Sequence, residues 1–232
     1  MQSIVYLIPS VLHETATETI PSYVIDAVKS CDVIFAENER TTRRFLKSIC
    51  KEFVIDDHEW HAIHKAEEEQ LNIFRQKIKE QKNIAIISEA GCPGIADPGQ
   101  ILIAAAQEMN AIVKPLVGPS SILLALMASG MNGQQFEFIG YLPIDNTGRM
   151  KAITAVELTS QKKHSTQIFI ETPYRNNQLL ETLLKTCKPS TRLCIAADLT
   201  SADEYIKTKT INEWKKEKVD LHKRPAIFLL QG

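Results

Sequence analysis

The sequence holds no apolar run of the length a membrane-spanning helix needs, and it does not open on a basic stretch, apolar core and cleavage site. Its five cysteines, Cys31, Cys50, Cys92, Cys187 and Cys194, are scattered, odd in number and never in a C-x-x-C pair. That pattern excludes a disulfide framework and a cysteine zinc site, and it fits a reducing compartment. The expectation is a cytoplasmic protein without a membrane partner and without a metal. An excess of one charge sign is also missing. The formal net charge is −1, so no global field draws nucleic acid to the whole chain. Repeats and low-complexity segments are absent too. What remains is 44% hydrophobic and 24% charged residues over 232 positions, enough to bury a substantial core in one large domain or two small ones. The charge is uneven: residues 1–116 carry 12 Lys and Arg against 17 Asp and Glu, and residues 117–232 carry 15 against 11. A basic second half is compatible with a phosphate-bearing substrate, though a modest excess is more often just a solvated surface.

One stretch organises the rest. Residues 88–99, S-E-A-G-C-P-G-I-A-D-P-G, lie between the apolar strand-like run 83–87 and the helical run 101–106. Three Gly and two Pro here exceed what a plain turn needs. Gly admits backbone N–H groups close to a ligand, and Pro sets the path. In open α/β sheets, ligands bind at the carboxyl ends of strands. The loop is expected to hold a nucleoside-like cofactor, the alternative being an ordinary tight βα connection. A second strand-to-helix loop follows one βα unit later, Gly118-Pro119-Ser120-Ser121, ahead of the apolar helix 122–129.

Elsewhere in the first half, strands are expected at 3–9, 32–37, 53–55 and 111–117, with helices near 23–28, 38–46 and 65–81. This alternation predicts a mostly parallel, doubly wound sheet. By composition, the Gly/Asn cluster at 130–133 marks a domain boundary. Beyond it, strands are expected at 136–142, 166–171, 192–199, 205–210 and 225–230. Helices are expected at 149–162, as an exposed helix, and at 178–187 and 211–218. The second half thus reads as α/β with a mixed sheet.

Several constellations invite chemistry. His58, His61 and His64 tempt a metal reading, but the H-E-x-x-H order is absent and polar loop and helix-start residues explain them better. Ser120 and Ser121 lack the strained nucleophile elbow. They suit either simple capping of a helix or a ligand held at its N-terminus. Arg40 and Arg44 share a helical face near Glu37 and Glu39, where they would grip a phosphate or simply face solvent. Glu171-Thr172-Pro173-Tyr174-Arg175 brings a carboxylate, a phenol and a guanidinium to a strand end. Glu89 and Asp97 are acids placed for proton handling.

Together, residues 36–46 (A-E-N-E-R-T-T-R-R-F-L), 88–99, 115–121 (P-L-V-G-P-S-S) and 136–143 (F-E-F-I-G-Y-L-P) resemble the tetrapyrrole methylase superfamily of S-adenosylmethionine-dependent methyltransferases. Within it they are most similar to the group that 2′-O-methylates a cytidine of small-subunit ribosomal RNA. Residues 171–175 and 197–200 match later motifs, so the likeness runs through nearly the whole chain. The resemblance implies two α/β domains, 1–117 and 118–232, with the donor in a cleft between them. It implies donor contacts at Pro9, Glu89, Ala90, Gly91, Ile95, Ser120, Ser121, Ala197, Pro225 and Ala226. It also implies a homodimer, with ribosomal RNA or the small ribosomal subunit as partner. For the chemistry, Glu37 or Glu171 would take or hold a proton, and Arg40 and Arg175 would hold phosphate. The sequence departs from the family pattern in four places. Residues 10–19 contain no Gly, Glu89 stands where Asp is usual, the A-E-D-T-R pattern reads Ala36-Glu37-Asn38-Glu39-Arg40, and no basic residue directly follows Leu142-Pro143. Alternative readings are methylation of a tetrapyrrole or another small molecule, and donor binding without activity.

Overall fold

Apolar runs of four or five residues can be buried on both faces only inside a sheet covered by helices. The first half of the chain obeys that rule. The computed structural model describes residues 2–63 and 67–232. It divides into two compact units, Met1–Ser120 and Ser121–Gly232.

The first unit is a five-stranded sheet of β1 (Ile4–Ile8), β2 (Val33–Ala36), β3 (Glu59–Ala62), β4 (Ile84–Ile87) and β5 (Ile112–Pro115). The order is β3-β2-β4-β1-β5 and every pairing is parallel. Helices α1 (Tyr23–Lys29) and α2 (Glu39–Ile49) bury Val24, Val28, Phe45 and Leu46 on one face, against Ile8, Ile34, Ala85 and Ile87. Helices α3 (Glu67–Lys79) and α4 (Gln100–Glu108) bury Phe74, Ile78, Leu102 and Ala106 on the other, against Val5, Phe35, Ile84 and Ile86. Each large apolar side chain so buried contributes about 1.5–3 kcal/mol. The topology creates one special place. β1 and β4 are neighbours, with Ile8 opposite Ile87. The chain leaves β1 toward α1 on one face and β4 toward α4 on the other. Adjacent strand ends that part to opposite faces open a crevice at the carboxyl edge.

The second unit starts with α5 (Ser121–Ser129), which packs against the strands β9 (Tyr205–Thr210) and β10 (Ala226–Gln231). With β6 (Phe136–Tyr141), β7 (Thr166–Ile170) and β8 (Arg192–Ala197), these form a sheet of order β6-β7-β10-β8-β9. Only β6 and β7 pair in parallel, joined by α6 (Asn146–Lys163); the other pairings are antiparallel. β10, the last strand in sequence, is the middle strand of the sheet. The core holds Phe169 of β7, Phe228 of β10, and Leu193 and Ile195 of β8. Leu179 and Leu183 of α7 (Asn176–Thr186) and Trp214 of α8 (Ile211–Trp214) complete it.

Three expectations are corrected here. Residues 53–55 are not a strand. Ile55–Asp57 is a 3-10 turn, and the third strand is Glu59–Ala62, on the polar stretch beyond it. Trp60 explains the shift: its Nε1 donates to the Ile55 carbonyl at 2.9 Å, and an edge strand tolerates polar faces. The Gly/Asn cluster at 130–133 lies inside the second unit, after α5, and does not divide the units. The helix expected to be exposed at 149–162, now α6, buries Arg149, Ile153, Glu157 and Ser160. Three of those four are polar, so apolar periodicity is a poor guide to its inner face.

Glu157 shows how that face is satisfied. Its carboxylate accepts from the Lys188 N–H at 2.8 Å and from the Thr191 hydroxyl. Glu157→Ala leaves the buried Thr191 hydroxyl without this acceptor and strips the Lys188 N–H of its partner, and is expected to cost about 1–3 kcal/mol. Urea unfolding of the purified protein measures that loss.

Candidate active site

The crevice of the first unit is closed by backbone bonds between loops that are distant in sequence. Ser10, just past β1, donates its N–H to the Gly91 carbonyl at 2.8 Å, and Gly91 donates back to Ser10 at 3.1 Å. The Ser10 hydroxyl donates to the Ser88 carbonyl at 2.8 Å. Gly91 has φ +75°, a left-handed conformation that side chains disfavour. The loop after β5 joins from the other side. A Cβ on Gly118 would fall 2.2 Å from the Pro9 Cβ, so only Gly permits that approach. The Cys92 thiol donates to the Pro119 carbonyl at 3.5 Å. The carboxyl ends of β4, β1 and β5 thus form one stitched rim.

Carboxyl groups gather on this rim. Glu37 follows β2, and its Oε2 accepts the Glu89 N–H at 2.7 Å. Asp97 is half-buried near both acids. Burial, reinforced by the negative charges of Glu37 and Glu89, pushes its carboxyl up to about 7. Crowded carboxylates of this kind are relieved by a cationic ligand.

In the second unit, the carboxyl end of β7 carries a different arrangement. Glu171 is buried, and its Oε1 accepts from Arg175 Nη2 at 2.7 Å and from the Thr172 N–H at 2.6 Å. Burial alone would raise the Glu171 carboxyl. The Arg175 bond and the Thr172 N–H outweigh it and hold the carboxyl below its usual value. Glu171 is therefore a weak proton acceptor and a firm anchor for a half-exposed guanidinium. Ala197 ends β8 opposite Ala226 at the start of β10. Next to them, the Asp198 N–H donates to the Pro225 carbonyl at 2.9 Å, and Arg224 Nε donates to the Asp198 carboxylate.

Residues 16–215 match the family described as Tetrapyrrole (Corrin/Porphyrin) Methylases. The chain belongs to this family. It is a methyltransferase. Among curated proteins it is similar to "Ribosomal RNA small subunit methyltransferase I" of Escherichia coli O157:H7, with 29% identity over 100% of this chain and 78% of that protein. It is also similar to the Bacillus subtilis (strain 168) protein of the same name, with 31% identity over 90% of this chain and 68% of that protein. Among solved structures, the methyltransferase CobJ shares the fold with TM-score 0.65 and 15% identity, over 100% of this chain and 95% of that one.

In this tetrapyrrole methylase-family chain, the structure brings Pro9, Glu37, Glu89, Ala90 and Gly91 to one rim. Pro9 and Gly91 are buried; Glu89, Ala90 and Ile95 are exposed. Ser120 ends the first unit and Ser121 opens α5 in the second. Arg40 is exposed in the first turn of α2, directly after Glu39, which pairs with Arg43 at 2.8 Å. Glu171, Arg175, Ala197, Pro225 and Ala226 all belong to the second unit. His58 and His61 do not sit at a helix start, as the sequence suggested; His58 precedes β3 and His61 lies within it. His58 Nδ1 bonds the Cys31 carbonyl at 2.8 Å, and His61 Nε2 bonds Glu59 at 2.8 Å. His64 lies outside the described residues. Sequence reasoning missed Ser10 and the pairing of Asp198 with Arg224. A serine directly after a buried strand was the available signal for Ser10.

The raised Asp97 carboxyl has a consequence for stability. Its folded value of about 7 exceeds the ordinary 3.8, so the folded form keeps the proton longer, and stability falls as pH rises between those values. Asp97→Asn removes that slope. The variant is expected to match wild type near pH 3.8 and to exceed it in thermal stability above about 7, as read by melting temperature across pH.

Proposed function

We propose that this chain uses S-adenosylmethionine to methylate small-subunit ribosomal RNA at a ribose 2′-oxygen. The observation that carries the reading is the stitched, acidic rim at the β1/β4 crevice in a chain of this family. The donor supplies a methyl on a sulfonium, an electrophile that needs chiefly an aligned acceptor. The rim's chemistry fits such a group. Glu89 and Asp97 offer negative charge to a cation, Gly91 and Ala90 offer close backbone, and Ser10 holds that backbone in place. Glu37 positions the loop by accepting the Glu89 N–H. Ile95, Ser120, Ser121, Ala197, Pro225 and Ala226 are carried as further donor contacts to be tested one by one.

For the acceptor, Arg175 is the phosphate ligand of this reading, with Glu171 as the residue that positions it. Arg40, exposed on α2, is the second cation. The names of the curated relatives support ribosomal RNA as substrate. A small-molecule acceptor draws support from one feature: residues 143–146, Pro-Ile-Asp-Asn, carry no basic side chain.

The test is transfer of labelled methyl from S-adenosylmethionine to isolated small ribosomal subunits, with a precorrin-type acceptor in parallel. Label is expected on the subunit, at a linkage resistant to alkali because a blocked 2′-oxygen cannot attack the backbone. Label on the tetrapyrrole alone, or on a base, overturns the reading. Arg175→Ala is expected to raise KM for the subunit about tenfold or more with a smaller change in kcat, the loss of a hydrogen bond to a charged group.

Pairing of two copies belongs to the same reading. Leu123 and Met127, one turn apart on α5, are large exposed apolar side chains suited to it. Sedimentation velocity is expected to give a dimer for wild type and a shift toward monomer for Met127→Glu.

A further inference from the structure

Two tyrosines in the second unit are exposed without a structural reason on their own element. Tyr141 ends β6 at 61% exposure, and Tyr174, in the loop after β7, is 71% exposed. Aromatic rings bury large areas when they can, so two left in water beside one cation mark a surface that meets something flat. Arg175 is that cation: it directly follows Tyr174 in the chain, and Tyr141 lies near it.

The loop that carries Tyr174 is held firmly. The Arg175 N–H donates to the Thr172 carbonyl at 2.9 Å, and the Tyr174 ring meets His222 edge to face at 6.1 Å. His222 belongs to residues 215–224, K-K-E-K-V-D-L-H-K-R, with five Lys and Arg against two acids. That segment is docked beside the loop. The Lys223 N–H donates to the Pro173 carbonyl at 3.1 Å, Asn176 Nδ2 donates to the Arg224 carbonyl at 2.6 Å, and the Leu221 N–H donates to Asn177 at 2.8 Å. Its two acids are already engaged: Glu217 by Lys209, and Asp220 by Asn177 and the His222 N–H. Arg224 is spent on Asp198, but Lys215, Lys216, Lys218 and Lys223 still outnumber the two acids, so the segment presents net positive charge next to exposed rings.

We infer that this surface holds an unpaired stretch of RNA, with a base stacked on Tyr174 and phosphates on the 215–224 segment. Stacking on aromatic rings needs bases out of a duplex, whereas the basic segment contacts any phosphate backbone. The inference rests on the ribosomal RNA reading and specifies the form of RNA the protein takes. Duplex RNA offers no free base face, so the rings favour single strands. A protein partner would draw on the same rings without needing the lysines.

The experiment uses the full chain and an unstructured, labelled RNA of about 12 nucleotides, single-stranded and annealed to its complement, read by fluorescence anisotropy. Wild type is expected to favour the single strand. Tyr174→Ala is expected to weaken it about tenfold or more, and Tyr174→Phe to stay within about twofold, since stacking needs the ring and not the hydroxyl. Lys223→Ala is expected to lower the salt slope by about one. Calorimetric binding of S-adenosylmethionine is expected to be unchanged in all three, which shows that the fold is intact. Equal affinity of Tyr174→Ala and wild type, a Tyr174→Phe loss as large as that of Tyr174→Ala, or equal binding of the duplex overturns the inference. A wild-type chain that methylates ribosomal subunits yet binds no single strand overturns it and leaves the methyltransferase reading intact. Donor binding with no methylation of subunits overturns both.

Discussion

The pair of backbone bonds between Ser10 and Gly91 is the constraint on which the first unit's functional rim depends. Two neighbouring parallel strands send their chains to opposite faces, and nothing in the sheet ladder holds the departing loops together. The Ser10–Gly91 bridge does so, and the Ser10 hydroxyl adds a third tie to Ser88. Gly118 then lets the loop after β5 press against Pro9. Backbone groups left near a ligand site must be paired or face water. Here three strand ends are paired to one another, and a carboxylate from a fourth, Glu37, takes the next free N–H at Glu89. Acids concentrate on the same rim, which makes it suited to a cation.

The second unit solves a different problem. It buries polar groups, and several are answered by groups packed beside them: Glu157 by Lys188 and Thr191, Ser160 by Ser165, Glu171 by Arg175 and Thr172. Glu171 gives up basicity to hold a guanidinium at the surface. The same pattern recurs in the 215–224 segment, where both acids are engaged by neighbouring groups and the segment keeps a net positive charge. The two units therefore differ in charge at their strand ends, in line with the uneven balance along the sequence.

Much of the fold was legible because apolar runs and glycine punctuation carry it. β1, β2 and β4 are continuous apolar runs, and the loop at 88–99 announces itself by composition. The third strand was not legible, because an edge strand needs no apolar alternation, and Trp60 hides its role until it reaches the Ile55 carbonyl. The buried face of α6 was unreadable for the same kind of reason. Arg149, Glu157 and Ser160 look like surface residues until their surroundings are known. Of the rim, Glu89 and Gly91 could be singled out by motif. Ser10 had only its place after a buried strand to mark it, since its importance lies in a bond to a residue far along the chain.

The sequence by itself determined the alternation of strands and helices, the family, and the loops whose residue types permit a ligand near backbone. Those properties are local: they follow from periodicity, from Gly and Pro, and from short motifs. Tertiary structure alone decided which loops meet and what each carboxyl is worth. Asp97 is raised by burial and by two acids, one of them remote in sequence, while Glu171 is lowered by its arginine and a backbone N–H despite burial. Proton affinity depends on distance and solvent exposure, and neither is set until strands from separate parts of the chain lie side by side.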